Sequence, residues 1–456
     1  MRVSALASLD ARDDEHIVDL LAIRLAWECL LDDGSRGSGT IHATWMTAWR
    51  VAPMQLASAP NRARIDWLWQ RALEIAYQQP LAATLTQPAA TSASATPDVQ
   101  AVFCIDVRSE VFRRALEAVS PQVQTLGFAG FFGLLIAYTP LGTDASRPQL
   151  PGLLSPTLSA TDVCDDPDQR LALIRLRQRT LAEKRRWFGF QSLPGSMFTF
   201  VESLGVFYLG KLLRRSLPAR APASSPDKAG LPLQQALKLQ PRLASASPDA
   251  ALAQAALAEH VLRAMNLTQG FARLVLLVGH GSQSTNNPHA AGLDCGACCG
   301  QTGEVNARAL AALLNDTSVR QGLSSAGIAI PESTHFLAAL HNTTTDEVEL
   351  FETDLVPQTH TADLDCLRQA LATAGARVRC ERAPTLGLAH IANHPEQLLR
   401  AIKARANDWA QVRPEWGLAN NAAFIVAPRA RTRGRDLAGL LPARLQLAHR
   451  LRRHSA

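Results

Sequence analysis

Two short apolar runs set the terms for any fold of this chain. Residues 99–107 read VQAVFCIDV and residues 272–278 read ARLVLLV. The first is rich in β-branched residues, the second in Leu and Val, and both show little alternation with polar positions, the pattern of a strand covered on both faces. Each also ends in chemistry. The first runs through Cys104, Asp106 and Arg108 directly into a helical pattern, RSEVFRRALEAV, and the second ends at Gly279-His280-Gly281. After that the chain opens into a polar, glycine-rich loop holding Cys295, Cys298 and Cys299. A strand that passes at once into a helix is the repeating unit of a parallel sheet, whose neighbouring strands must be joined by crossovers.

The rest of the chain fits that frame. Apolar residues at three-to-four spacing predict helices over 11–31 and 61–77, and further helices are expected near 249–266, 303–314, 363–374 and 396–408. Strands are expected at 335–341 and 421–427, while 80–98 and 216–232 are Pro/Ala/Ser-rich and read as loops. The expected organisation is a helical segment over 1–98 and an α/β core over 99–428 with a flexible insertion near 216–250. A basic tail over 429–456 follows. The fold class is α/β: a mainly parallel sheet flanked by helices, with its ligand site at the carboxyl ends of the strands.

Charge and composition remove several functions. The formal net charge is +6, yet residues 429–456 alone hold eight arginines against one acid, Asp436, so the remainder of the chain is near neutral. A nucleic-acid binder needs its basic residues spread over a folded face, so no nucleic-acid partner is expected. The longest apolar run, Leu126 to Ala137, has twelve residues including three glycines, well short of the about 20 a spanning helix needs. Eight cysteines follow no disulfide-framework spacing and the N-terminus lacks the apolar core of a signal peptide. Reduced thiols follow, and clustered reduced thiols point to metal or catalysis.

Strand alternation would place Cys104, Asp106 and Arg108 on one side, with Ile105 and Val107 buried opposite. Two thiolates, one imidazole and one carboxylate make a chemically sensible tetrahedral zinc set. Two thiolates already cancel the charge of the ion, so Asp106 would be the most weakly held ligand. Arg108 offers that carboxylate a bidentate alternative. With Asp106 on Arg108, a coordination position opens for water, whose ionisation zinc brings toward about pH 7 in favourable sites. Spacing alone leaves Cys295 and Cys298 as equal choices for the second thiolate. It also leaves room for a structural zinc knuckle closed by Cys298 or Cys299, and for a free-standing zinc hydrolase. His335 and His341, in a predicted strand, fit core or surface roles better than ligation.

The segments CIDVRSE (104–110), GFAGFFG (127–133), the Gly279–Gly300 loop and RPEWGLANNAAFIVAPR (413–429) together resemble the DabA family, over roughly residues 10–435. The resemblance implies zinc on Cys104, Asp106, His280 and Cys295, with a site like that of β-type carbonic anhydrases, which share the Cys-x-Asp-x-Arg element. Fourteen residues separate His280 from Cys295 here, more than in those enzymes, so the likeness is one of site chemistry. It further implies one subunit of an energy-coupled pump for inorganic carbon, hydrating carbon dioxide to bicarbonate by zinc hydroxide. The implied partner is a membrane-embedded, cation-translocating DabB-like subunit, with this chain peripheral on the cytoplasmic side of the inner membrane. Members of the family extend beyond both ends of the matched region, so the sequence is expected to be truncated relative to them, with 436–456 departing from their pattern.

Overall fold

A computed structural model describes residues 16–34, 39–88, 97–164, 166–216, 226–236, 238–244, 250–286, 290–408, 410–411, 423 and 425–435. These fall into two compact units that part between Gln87 and Pro88.

The first unit holds helices α1 (His16–Gly34) and α2 (Gly39–Thr86). The helix expected over 11–31 is present from His16, with 11–15 outside the described residues, and the one expected over 61–77 lies within α2. α2 continues through 80–86, which the sequence reading assigns to a loop. The stretch after Pro80 is LAATLT, and Thr84 and Thr86 donate their hydroxyls to the carbonyls of Pro80 and Ala82 one turn back. Local helix-compatible chemistry thus outweighs the low-complexity composition.

The second unit contains β1 (Val99–Cys104), α3 (Val107–Val119), β2 (Val123–Phe128), β3 (Ile136–Thr139), β4 (Arg147–Gln149) and β5 (Leu158–Val163). It continues through α4 (Pro167–Ser192), α5 (Pro194–Ser216), β6 (Gln240–Leu243), α6 (Ala250–Ala264) and β7 (Leu274–Gly281). Last come α7 (Glu304–Asn315), α8 (Thr317–Ser325), β8 (His335–Asn342), β9 (Glu347–Leu350), α9 (Thr361–Arg382) and α10 (Pro395–Asn407).

Among the described residues, five strands form the main sheet in the order β2-β1-β7-β8-β9. The first four are mutually parallel and β9 returns antiparallel from β8. Alternate residues of each central strand enter different cores, which is why those strands read as unbroken apolar runs. Val102, Val275, Leu277 and Phe336 pack with Val261 and Leu262 of α6, Leu310 and Leu314 of α7, and Leu323 of α8. Phe103, Leu276, Val278 and Leu337 pack on the other face with Phe112 and Leu116 of α3 and with Leu367, Leu371 and Val378 of α9.

A second sheet, ordered β4-β3-β5-β6, was not expected from the sequence. Its strand β6 pairs with β5 and lies inside the 216–250 segment expected to be a flexible insertion, whose described residues also include a short helix at 233–236. The strand expected over 421–427 is not found: residues 421, 422 and 424 lie outside the described residues, and the others of that segment are not in a strand. Residues 429–435, placed in the basic tail by composition, belong to the α/β unit. Arg429 pairs with Glu110 and Glu117 of α3, and Arg433 donates to the carbonyls of Pro121 and Val123.

Candidate metal centre

β1 sits where the connectivity divides, with β2 on one side and β7 on the other. Crevices at the carboxyl ends of strands beside such a switch point are the usual ligand sites of parallel sheets. Cys104 ends β1 and His280 is the penultimate residue of β7. The third group arrives from the loop after β7. Cys295 and Gln301 form an isolated bridge, closed by a short turn at Gly296–Cys298 and by left-handed backbone at Cys299 (φ 59°) and Gly300 (φ 73°). The loop is returned to its origin by Gly303 N–H, which donates to the His280 carbonyl at 2.9 Å. That return needs glycine at both ends: a Cβ on Gly279 would lie 2.5 Å from the Gly303 carbonyl oxygen.

The sulfurs of Cys104 and Cys295 and a ring nitrogen of His280 lie within 4.8 Å of one another, and all three residues are buried. The two sulfurs are 3.8 Å apart. Two thiolates sharing a tetrahedral zinc at ~2.3 Å stand about 3.8 Å apart, so the spacing matches that requirement. Both imidazole nitrogens of His280 are buried without a hydrogen-bond partner, a cost proteins rarely accept unless something else satisfies the group. Gly130, from the loop after β2, floors the site. A Cβ there would lie 2.6 Å from each sulfur. The residues present therefore fit a metal ion.

Asp106 lies outside this three-residue group. Strand alternation fails at this point because β1 stops at Cys104 and the chain turns into α3. Ile105 and Val107, expected to be buried, are 65% and 56% exposed. Asp106 is instead the N-cap of α3, accepting from the Arg108 backbone N–H at 2.9 Å. The same carboxylate receives Arg108 bidentately, Nε to Oδ1 at 2.8 Å and Nη2 to Oδ2 at 3.0 Å. Its Oδ2 is also 3.5 Å from His280 Nε2. Arg108 additionally donates to the Leu293 carbonyl, tying the start of α3 to the Cys295 loop.

Burial would raise the Asp106 carboxyl, but the Arg108 hydrogen bonds and the positive charges of His280 and Arg108 hold it below the usual carboxylate range. Burial would likewise lower the His280 imidazole, yet the Cys295 sulfur and the Asp106 charge raise it. The two thiols oppose each other's ionisation. Cys104 is pushed up, first by its hydrogen bond to Cys295 and then by burial, while Cys295 is held down, first by Cys104 and then by Cys298. A shared cation removes that conflict, because a coordinating thiol is deprotonated outright.

The other sulfurs are placed differently. Cys298 is buried and donates to the Gly130 carbonyl at 3.3 Å, and Cys299 is exposed. His335 and His341 are both in β8. His341 is fully buried, with Nδ1 3.1 Å from Ser109 Oγ and Nε2 3.3 Å from Asp346 Oδ1. Asp346 is in turn paired with Arg382. Sequence reasoning missed this network and the role of Gly130. The glycine lies within the GFAGFFG segment, but a floor made by a missing side chain leaves no positive signal.

A mainly parallel α/β sheet with two thiols and an imidazole gathered at its switch point defines a protein able to hold a metal ion in its core. The family is then settled by comparison. The family model described as "Probable inorganic carbon transporter subunit DabA" matches residues 1–441, and the chain belongs to that family. Proteins of the same description from Vibrio cholerae serotype O1 (strain ATCC 39315 / El Tor Inaba N16961) and Paracidovorax citrulli (strain AAC00-1) are 50% and 53% identical, over 95% and 94% of this chain. A third, from Ectopseudomonas mendocina (strain ymp), is 51% identical over 95% of the chain. These alignments cover 51%, 51% and 52% of the relatives, so the chain spans about half the length of the curated relatives it matches. No solved structure matches it. Among the described residues, no helix is long and apolar enough to cross a membrane.

Proposed function

We propose that this chain is the zinc-binding portion of a subunit that hydrates carbon dioxide to bicarbonate within an energy-coupled inorganic-carbon pump. The observation that carries this reading is the buried Cys104–His280–Cys295 group, with neither imidazole nitrogen hydrogen-bonded and a carboxylate–arginine pair beside it. Cys104, His280 and Cys295 hold the ion, and Asp106 is the exchangeable fourth ligand, as in a β-type carbonic anhydrase. Zinc there supplies Lewis acidity, which brings the ionisation of water toward neutral pH and so provides a nucleophile for carbon dioxide.

The remaining work falls to the chain. Two thiolates neutralise the divalent charge, so a third anion is held weakly and can leave. Arg108 holds the Asp106 carboxylate through two N–H donors in fixed geometry, and would so keep it off a bound ion. Gly130 and the Cys295 loop keep the site dry, which strengthens every charge interaction within it. The partner is a membrane-embedded, cation-translocating subunit of the DabB type, with this chain docked peripherally on the cytoplasmic side.

Exchange of oxygen-18 between carbon dioxide and water, measured with and without the membrane partner, tests the reaction. Exchange that requires the partner and is lost in Cys104→Ala supports it. Hydrolysis of esters or phosphoesters without any exchange would replace it with a free-standing zinc hydrolase. Zinc lost in Cys298→Ala but kept in Cys104→Ala would reduce the site to a structural scaffold.

A further inference from the structure

Helices α4 and α5 form a hairpin of 26 and 23 residues joined at Leu193. Its root is anchored: Leu173 is buried, and the buried Arg177 donates to the carbonyls of Leu141 at 2.8 Å and Asp227 at 2.7 Å. Beyond the root the two helices hold each other through rings. Trp187 and Phe190 pack edge-on against Phe200, which meets Tyr208, and Trp187 Nε1 donates to the Tyr208 hydroxyl at 3.0 Å.

The other side of α5 is also apolar. Phe198, Val206, Leu209 and Leu213 recur at helical spacing on the side opposite Phe200 and Leu204, and all four are exposed. Val206, Phe207 and Phe198 are 80%, 77% and 73% exposed, and exposed apolar side chains gathered in this way mark an interaction surface. The hairpin carries ten basic residues against three acids, Asp168, Glu183 and Glu202. Arg175, Arg179, Lys184, Arg185 and Arg186 are exposed along α4, the last three immediately before the exposed Trp187 and Phe188.

We propose that the α4–α5 hairpin lies on the surface of an anionic lipid bilayer, with the exposed apolar face of α5 in the headgroup–acyl boundary and the α4 cations on the phosphates. Aromatic and aliphatic side chains flanked by Arg and Lys are the composition that partitions to that interface. The excess of cations supplies the charge complementarity that selects a bilayer over a neutral apolar partner. Glu202, the one acid of α5, lies among these exposed positions and opposes binding. The inference deepens the peripheral membrane placement proposed above. Its test reads lipid binding and metal content separately, so that either reading can fail alone.

The full chain is floated with vesicles of phosphatidylcholine, with and without phosphatidylglycerol. Binding is expected only with phosphatidylglycerol. It should fall roughly ten-fold or more in Phe198→Glu/Leu209→Glu and in Arg185→Glu/Arg186→Glu. High salt should abolish the second difference but not the first, and Glu202→Gln should bind more tightly. Zinc content and circular dichroism should be unchanged in all three variants, since every altered side chain is exposed. Absence of binding to phosphatidylglycerol vesicles, or binding that both paired variants leave intact, overturns the proposal. So does a change in the paired variants confined to dissociation of a dimer or loss of capture by a membrane protein.

Discussion

Replacing Gly130 with alanine is the sharpest test of the metal centre, because it adds one carbon and touches no ligand. The new Cβ would stand 2.6 Å from the sulfurs of both Cys104 and Cys295. Carbon–sulfur contact normally lies near the ~3.5–4.0 Å optimum of heavy-atom pairs, so each sulfur falls short by about 1 Å. The sulfurs now stand 3.8 Å apart. Pushing both aside carries them toward about 4.6 Å, the limit at which two ~2.3 Å bonds to one ion become collinear. Tetrahedral binding is then lost unless the 129–133 backbone retreats. The expected result is zinc affinity lower by at least about 100-fold, the upper end of what changes just outside a ligand set produce. The assay is elemental analysis of the purified variant with chelator competition, and circular dichroism confirms the fold. Gly127→Ala is the matched control: there a Cβ meets the far ends of Ile105 and Arg113 at 3.0 and 3.1 Å, and neither is one of the three grouped ligands. Stoichiometric zinc of wild-type affinity in Gly130→Ala would refute the placement of the ion between the two sulfurs.

Cys295→Ala should lose its metal while Cys298→Ala keeps it, and elemental analysis showing the reverse would assign the second thiolate to Cys298. Arg382→Leu strips the buried Asp346 of its cation and should cost ~3–5 kcal/mol in urea denaturation; a loss below about 1 kcal/mol would contradict the pairing. His335 is lowered from 6.5 to about 4, by burial first and then by the charges of His360 and Arg320. The unfolded chain therefore binds a proton in that window that the folded chain refuses, and stability falls as pH drops from 6.5 toward 4. His335→Gln should flatten that part of the stability–pH curve, and an unchanged slope would sink the assignment. Asp106→Asn keeps a capping side chain but removes the charge held by Arg108. It should retain zinc and alter the pH profile of carbon dioxide–water exchange, and an identical profile would exclude Asp106 from the reaction.

The central strands could be read from sequence because both their faces are buried, so that β1, β7 and β8 are written as continuous apolar runs. Their parallel arrangement followed from the helical patterns between them. The second sheet carries no such signal. Its strands are three to six residues long and interleaved with Thr, Asp, Pro and Arg, a pattern that loops share. The α4–α5 hairpin was missed because α5 is apolar on opposite sides and so lacks the single stripe that marks a globular helix. At the site, Cys104 and His280 announced themselves by chemistry and by position at strand ends, whereas Cys295 was one of two equal thiols in a loop. Extending strand parity past Cys104 misplaced Ile105 and Val107, since parity holds only while the chain stays extended. The choice between Cys295 and Cys298 came from the family resemblance and could not come from spacing, because a loop with two left-handed residues folds back on itself.

The N-cap at Asp106 has a consequence for how the centre and the scaffold communicate. One carboxylate closes the first turn of α3 and neutralises Arg108, and it is also the acid nearest His280. It cannot swing toward the sulfurs and remain in place on the helix. Any such movement leaves the Arg108 amide without its acceptor, at a cost of roughly 1 kcal/mol, and loosens the turn that carries Ser109 and Glu110. Through those two residues the loosening would reach the His341 network and the Arg429 strap, so that events at a single oxygen atom would be registered on two distant parts of the same unit.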